Sequence, residues 1–479
     1  MIGYTLADLQ GIEERCREIA VAELGFEVPE VVYHLVGAED VYYAAATGLP
    51  ARYSSARWGA AFDSEYERYR RGQSRIYELI FNTRPVHAYL MDGNSLVGQT
   101  LVIAHCLGHG YVFETNEWLG AVDRDIMPRV VSAAERIADY MAAHGRERVE
   151  DLLDACHAIA VHQPQAQLIR KAATSEPEQR RAGYDSLFPD EVEADRQRVA
   201  DERAALRRRF PQEPQPDLLG FIEHHARGLE DWQRDVISIV RSEQGYFLPQ
   251  MRTKILNEGA AVLAHQEICQ RLFLSADRYW EYEQLNANVV QPHAGAVNPY
   301  NLGINIVREI MRIATDPGDE ERERWRWASN VDPFDQVRLV LRTYDDEALL
   351  REFLTPRVCE LCRLYAFERM QFDPRRIRVS SREAEVIREI LIPQYSTLGI
   401  PHIEVVDADF RGRGELLLEH RDDGIGLDPE YARGTLMQVA MLWGKSCTVK
   451  TRKGGQGDKA VWYTGHPHGA SEEHLREPV

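Results

Sequence analysis

No stretch of this chain approaches the roughly 18 consecutive apolar residues that a membrane-spanning helix needs, so no membrane span is expected. The opening residues, MIGYTLADLQGIEERCREIA, lack a basic segment followed by an apolar one, which argues against a secretory leader. Cysteine is scarce and scattered. Seven thiols, an odd number, do not make a disulfide framework and point to a reducing, cytoplasmic setting. Cys359 and Cys362 form a CxxC, but no second pair completes a zinc knuckle, so both read as structural. Positive charge is also short: 57 Lys and Arg face 76 Asp and Glu, and a net charge of −19 repels nucleic acid. The phosphate-loop spacing GxxxxGK[ST] is missing around Lys445, and no internal repeat is evident.

What is present reads as mainly α, with a few short strands in the N-terminal part and a small C-terminal α+β domain. Four consecutive segments are expected. Residues 1–173 are mostly helical, with an amphipathic helix over 5–24, short helix and loop over 28–55, and a strand pair within 76–90. Residues 174–216 are a charged helical excursion or linker, because acidic and basic side chains alternate there with few core residues. Residues 217–371 return to helix, with a break at Pro249 and a surface loop over the Asn-, Pro- and Gly-rich stretch 286–303. Pro356–Glu368 reads as helix. Residues 372–479 alternate as strands do, at 403–407, 415–420, 447–450 and 460–464, with RKGGQGDKA as a polar hairpin tip.

Chemistry concentrates in Leu101–Asn116, LVIAHCLGHGYVFETN, where a helix is expected after an N-cap at Asn94 or Ser95. His105 and His109 stand four apart, so on a helix they share a face with Cβ atoms about 5–6 Å apart. Two imidazoles so placed can hold one divalent metal; they can equally be core histidines bonded to carbonyls. His157 and His162 lie five apart, on different faces, and read as structural.

A second stretch, Leu256–His265, LNEGAAVLAH, supplies the missing acid. Glu258 and His265 are two turns apart, about 10 Å along a helix axis, too far to share an ion comfortably. One of them completes a His-His-Glu set and the other orients a ligand imidazole. Ala260, Ala261 and Ala264 are small enough to let another helix come close.

These segments resemble the stage V sporulation protein R (SpoVR) family. IYELIFNTRPVHAYLMDGNSLVGQTLVIAHCLGHGYVFETN is similar to its IYE-x-VIN-x-x-P, AYL and AH-x-x-x-H stretches. LEDWQRDVISIVRSEQGYFLPQMRTKILNEGAAVLAH, NPYNLG and the tail GIPHIEVVDADFRGRGELLLEH continue the likeness over nearly the whole chain. Two departures sit beside the candidate site: Glu114 where the family carries lysine, and Ala260 where it carries tryptophan. The resemblance implies a spore-cortex or stress-response role, with a serine protein kinase and a von Willebrand A-like protein as partners. It implies no established reaction.

Three readings of the chemistry stay open. The first is a cytosolic regulatory or scaffold protein with a buried His/Glu site. The second is a zincin-like, metal-dependent hydrolase of peptide or cell-wall-related amide bonds. The third is an iron site built on two histidines and a carboxylate. His105, His109, Glu258 and His265 are the candidate metal ligands, with zinc the first choice of divalent ion and iron the alternative. A peptidase reading must find a general base, since Cys106 occupies the position after the first histidine where HExxH enzymes carry glutamate. Glu114 and Glu258 are the acids within reach in sequence. Tyr246 and Arg241 are candidates for stabilising developing negative charge, or simply for pairing with a buried acid.

Overall fold

Thr5 and Asp8 cap each other: the Asp8 N–H donates to Thr5 Oγ1 at 3.2 Å and the Thr5 N–H to Asp8 Oδ2 at 2.7 Å. From that box runs α1 (Leu6–Leu24), which buries Leu9, Cys16, Ala20 and Leu24. This computed structural model describes residues 4–72, 78–163, 209–273, 275–292, 296–370, 373–396, 398–421, 426–452 and 460–467. Most of the charged block 174–216 and the tip of RKGGQGDKA therefore lie outside the described residues.

The segment 28–55 holds more than helix and loop: β1 (Val31–Val36) precedes α2 (Ala38–Thr47). All six residues of β1 are half-buried, so the strand carries no alternation to betray it. After α3 (Ala56–Arg70), which buries none of its residues, come β2 (Leu79–Phe81) and β3 (Val86–Met91), the strand pair expected there. β3 is central, parallel to β1 and antiparallel to β2.

Ser95, whose Oγ accepts the Gly98 N–H at 3.1 Å, starts α4 (Leu96–Thr115). By length and composition this is the one helix among the described residues apolar enough to cross a membrane, yet its apolar window is 94% buried in protein. It is a core helix. α5 (Met127–His144), α6 (Arg146–Ile159), α7 (Leu218–His225), α8 (Asp231–Met251) and α9 (Lys254–Leu272) follow. Pro249 falls in the last turn of α8, so the expected break comes just after it.

The loop expected over 286–303 is largely helix. Its first residues end α10 (Ala276–Val290), and its last begin α11 (Pro299–Thr315). Asn298 is the cap, its Oδ1 accepting the Tyr300 N–H at 3.0 Å, and Pro299 takes the first turn, where its missing N–H costs nothing. α12 (Asp319–Arg324), α13 (Pro333–Thr343) and α14 (Asp346–Phe353) lead to α15 (Pro356–Leu361). The helix expected to reach Glu368 stops there, because Arg363 turns left-handed at φ 52° and the chain enters β4 (Ala366–Met370). β4 pairs with β5 (Asp373–Ser381), and α16 (Ala384–Ser396) follows.

The last sheet has the order β6-β7-β8-β9, from β6 (Ile403–Phe410), β7 (Glu415–His420), β8 (Cys447–Arg452) and β9 (Ala460–Gly465). β7 and β8 are parallel, with α17 (Pro429–Trp443) as the crossover between them. The fold class is thus mainly α with a few N-terminal strands and a C-terminal α+β portion. In space the chain forms two compact units, each from two stretches. One comprises Met1–Asp139 with Tyr246–Gly399, the other Tyr140–Gly245 with Ile400–Val479. These spatial units interleave along the sequence, whereas composition divides the chain only into consecutive segments. All seven cysteines are buried and free, Cys359 and Cys362 included.

Candidate metal centre

α4 is apolar all round, so its two imidazoles are buried along with the rest of it: His105 is 1% exposed and His109 3%. One turn apart, their rings meet edge to face with centroids 4.7 Å apart. α9 lies against them at unusually close range. A Cβ on Gly108 would sit 2.6 Å from Ala261 Cα and 2.8 Å from the Ala260 carbonyl oxygen, so only glycine fits. The small residues of LNEGAAVLAH do what their size suggested. α9 meets α11 as tightly, since a Cβ on Gly259 would come within 2.8 Å of the Gly303 carbonyl carbon. The N-terminus of α9 is held from outside: Asp346 accepts the N–H of Ile255 at 2.8 Å and of Leu256 at 2.9 Å.

That packing delivers Glu258 to the histidines. Its Oε2 lies 3.6 Å from His105 Nε2 and 3.5 Å from His109 Nε2. A fourth group arrives from the start of β2. Glu78 Oε1 stands 3.7 Å from His105 Nε2 and accepts the Tyr300 hydroxyl proton at 2.9 Å. One ligand atom from each of Glu78, His105, His109 and Glu258 lies within 4.8 Å of all the others. These separations are too long for hydrogen bonds. They are close to the roughly 3.3 Å that separates two ligands on a tetrahedral ion with bonds of about 2.0–2.1 Å. His105 Nε2 and Glu258 Oε2 are buried with no hydrogen-bond partner, which is costly unless something binds both.

The electrostatics fit a cation. Burial pushes the Glu258 carboxyl up, but His105, His109 and Lys254 outweigh it and bring it down to about 2. Lys254 donates to Glu258 Oε1 at 3.0 Å, though more than half of its side chain is exposed and the pair is screened accordingly. Glu78 goes the other way, raised by burial and the neighbouring Glu258 charge despite His105 beside it. His109 is lowered to about 4, burial outweighing Glu258. For His105 burial is the largest influence and lowers it, yet Glu78 and Glu258 together hold it above its ordinary value.

Of the sequence candidates, His105, His109 and Glu258 converge. His265 sits behind them, its Nδ1 2.9 Å from His105 Nδ1 and its Nε2 3.0 Å from Asn286 Oδ1. Burial and His105 lower it to about 3, so it is a neutral ring braced against the His105 ring. Glu114 pairs with Arg124 and Arg84 at the far end of α4. Tyr246 is buried, and burial raises its hydroxyl to about 12. Arg241 donates to Asp217 Oδ2 at 2.8 Å within the other compact unit. None of these three belongs to the cluster. Glu78 went unnoticed in sequence; its signal was a lone acid inside the apolar run Ile76–Ile80.

Residues 3–400 match the family model described as SpoVR like protein, and residues 401–453 match the SpoVR-like C-terminal domain. The chain is 29% identical over 432 residues, 83% of each chain, to the protein of Escherichia coli (strain K12) called uncharacterized protein YcgB. No solved structure matches.

Proposed function

This chain belongs to the SpoVR-like protein family, and from that premise we propose that it binds one divalent metal ion through His105, His109, Glu258 and Glu78. The carrying observation is the convergence of two imidazole nitrogens and two carboxylate oxygens within 4.8 Å in a buried spot. Zinc suits two nitrogen and two oxygen donors at these spacings, and non-haem iron is the alternative. A nearly closed site with four protein donors favours a structural or regulatory ion. The protein is then a cytoplasmic regulatory or scaffold partner in a spore-cortex or stress-response pathway. A serine protein kinase and a von Willebrand A-like protein are the partners that family membership suggests.

One observation favours a second reading, a metal-dependent hydrolase of peptide or cell-wall-related amide bonds. Glu78 and Glu258 are neighbouring carboxyls driven in opposite directions, the arrangement by which enzymes separate a proton carrier from a permanent anion. Glu78, with Tyr300 on its oxygen, then fills the base position that Cys106 leaves empty.

Elemental analysis of the purified protein tests the metal reading. About one ion per chain is expected, with a lower melting temperature after chelation. Fewer than about 0.2 ions per chain, with unchanged melting in His105→Ala, would sink it.

A further inference from the structure

His105 can bind an ion at Nε2 only if that nitrogen carries a lone pair, which requires its proton on Nδ1. The neighbour of Nδ1 is another imidazole nitrogen, His265 Nδ1, at 2.9 Å, which can donate or accept. The Ala261 carbonyl, an acceptor beside the His105 ring, favours a proton on it, and the role His265 takes is set farther out. Arg308, exposed on α11, has only donors, and its Nη2 lies 2.8 Å from Gln266 Oε1. Gln266 Oε1 is therefore an acceptor, which leaves its Nε2 to donate to Asn286 Oδ1 at 3.0 Å. Asn286 Oδ1 in turn faces His265 Nε2 at 3.0 Å and takes the proton there. His265 Nδ1 is left bare, accepts from His105 Nδ1–H, and so turns the lone pair of His105 toward Glu78 and Glu258.

We propose that Arg308, Gln266, Asn286 and His265 form a one-way hydrogen-bond chain that fixes the tautomer of His105. They are positioning residues: none is among the four converging groups, and a donor-only guanidinium at the surface dictates which nitrogen of a buried ring is free. The proposal deepens the metal reading and rests on it for its purpose, though not for its detection.

Two isosteric changes separate this polarity from plain charge. Gln266→Glu keeps the acceptor for Arg308 but has no N–H to give, so the Asn286 amide must rotate and donate to both neighbours. That reverses the chain and moves the His105 proton to Nε2. Asn286→Asp adds the same negative charge yet keeps an acceptor facing both Gln266 and His265, which preserves the order. The measurement is 15N NMR of the histidine rings in metal-free protein at alkaline pH, with His105 assigned through His105→Gln, followed by zinc titration against a chelator. Expected are an Nδ1–H ring at His105 in the parent and in Asn286→Asp, and an Nε2–H ring in Gln266→Glu. Zinc should bind about 10–100-fold more weakly in Gln266→Glu and no more weakly in Asn286→Asp. An Nε2–H ring in the parent, or equal shifts of affinity in the two variants, overturns the proposal. A parent that takes up no zinc while its tautomers follow the expected series supports the chain and refutes the metal reading alone.

Discussion

Each compact unit places histidines beside a glutamate, but in the second the ring on the glutamate, His402, is exposed, and the two sets are built to opposite ends. In the second unit each ring has its own neighbour. His420 Nδ1 meets Thr451 Oγ1 at 2.8 Å, and His402 Nε2 meets Glu404 Oε1 at 3.1 Å. His162, buried and lowered to about 4 chiefly by desolvation, has the Pro401 carbonyl as partner. In the first unit His105 Nε2 and Glu258 Oε2 are aimed at one another's neighbourhood and satisfied by nothing. Buried histidine is thus uninformative by itself. What sets the first cluster apart is that its unspent lone pairs point toward one another.

Exchanging the two sets gives the largest effect. In zinc-saturated protein, His105→Ala should abolish metal binding and with it about 4 kcal/mol of stability at a thousandfold excess over Kd. His162→Ala should cost about 1–3 kcal/mol of packing and leave the metal content alone. Metal lost from His162→Ala, or retained in His105→Ala, would erase the distinction. Next comes a pair of caps. Removing Asp346 by Asp346→Ala strands the N–H groups of Ile255 and Leu256, at about 1–3 kcal/mol, and should weaken zinc binding because Glu258 lies on the next turn. Asp428→Ala in the other unit removes the cap of α17, which accepts from Glu430 and Tyr431, at about 1 kcal/mol, with no change in zinc affinity. Denaturant unfolding and chelator competition read both.

In acid one ring from each set behaves alike. His265 and His162 have folded values of about 3 and about 4, below the usual 6.5. The unfolded chain binds more protons in that window, so their stabilisation is intact above pH 6.5 and disappears as pH falls through about 4. His105, raised instead, acts in the opposite sense. Metal-free protein should therefore melt at progressively lower temperature below pH 6.5, and His162→Gln should make that slope shallower. An unaltered slope would remove His162 from the account.

The helix bearing both histidines, its start after Asn94 or Ser95, and the two-turn separation that keeps Glu258 and His265 from one position were legible, because helical spacing and axial rise fix which residues share a face. The small-residue approach was legible too, since Ala260, Ala261 and Ala264 announce it by size. Glu78 was not, because a single acid just ahead of β2 has no spacing partner in the sequence. Nor was β1, an edge strand of a parallel pair half-buried throughout. The 286–303 stretch misled because its Asn, Pro and Gly content suits a loop, while Asn298-Pro299 is also how a helix begins. The interleaving of the two units has no local signature at all, as it depends on contacts between residues hundreds of positions apart.

Gly108 carries one further consequence. Because α4 and α9 touch backbone to backbone there, the imidazoles made early in synthesis wait for a partner encoded about 150 residues later. At about 5–20 residues per second that is on the order of 10–30 s on the ribosome. During that interval the nascent chain carries Glu78, His105 and His109 without Glu258, an incomplete set of the four converging groups. On the proposed metal reading, choice of ion then belongs to the finished fold, and loading is a late event in the life of the polypeptide.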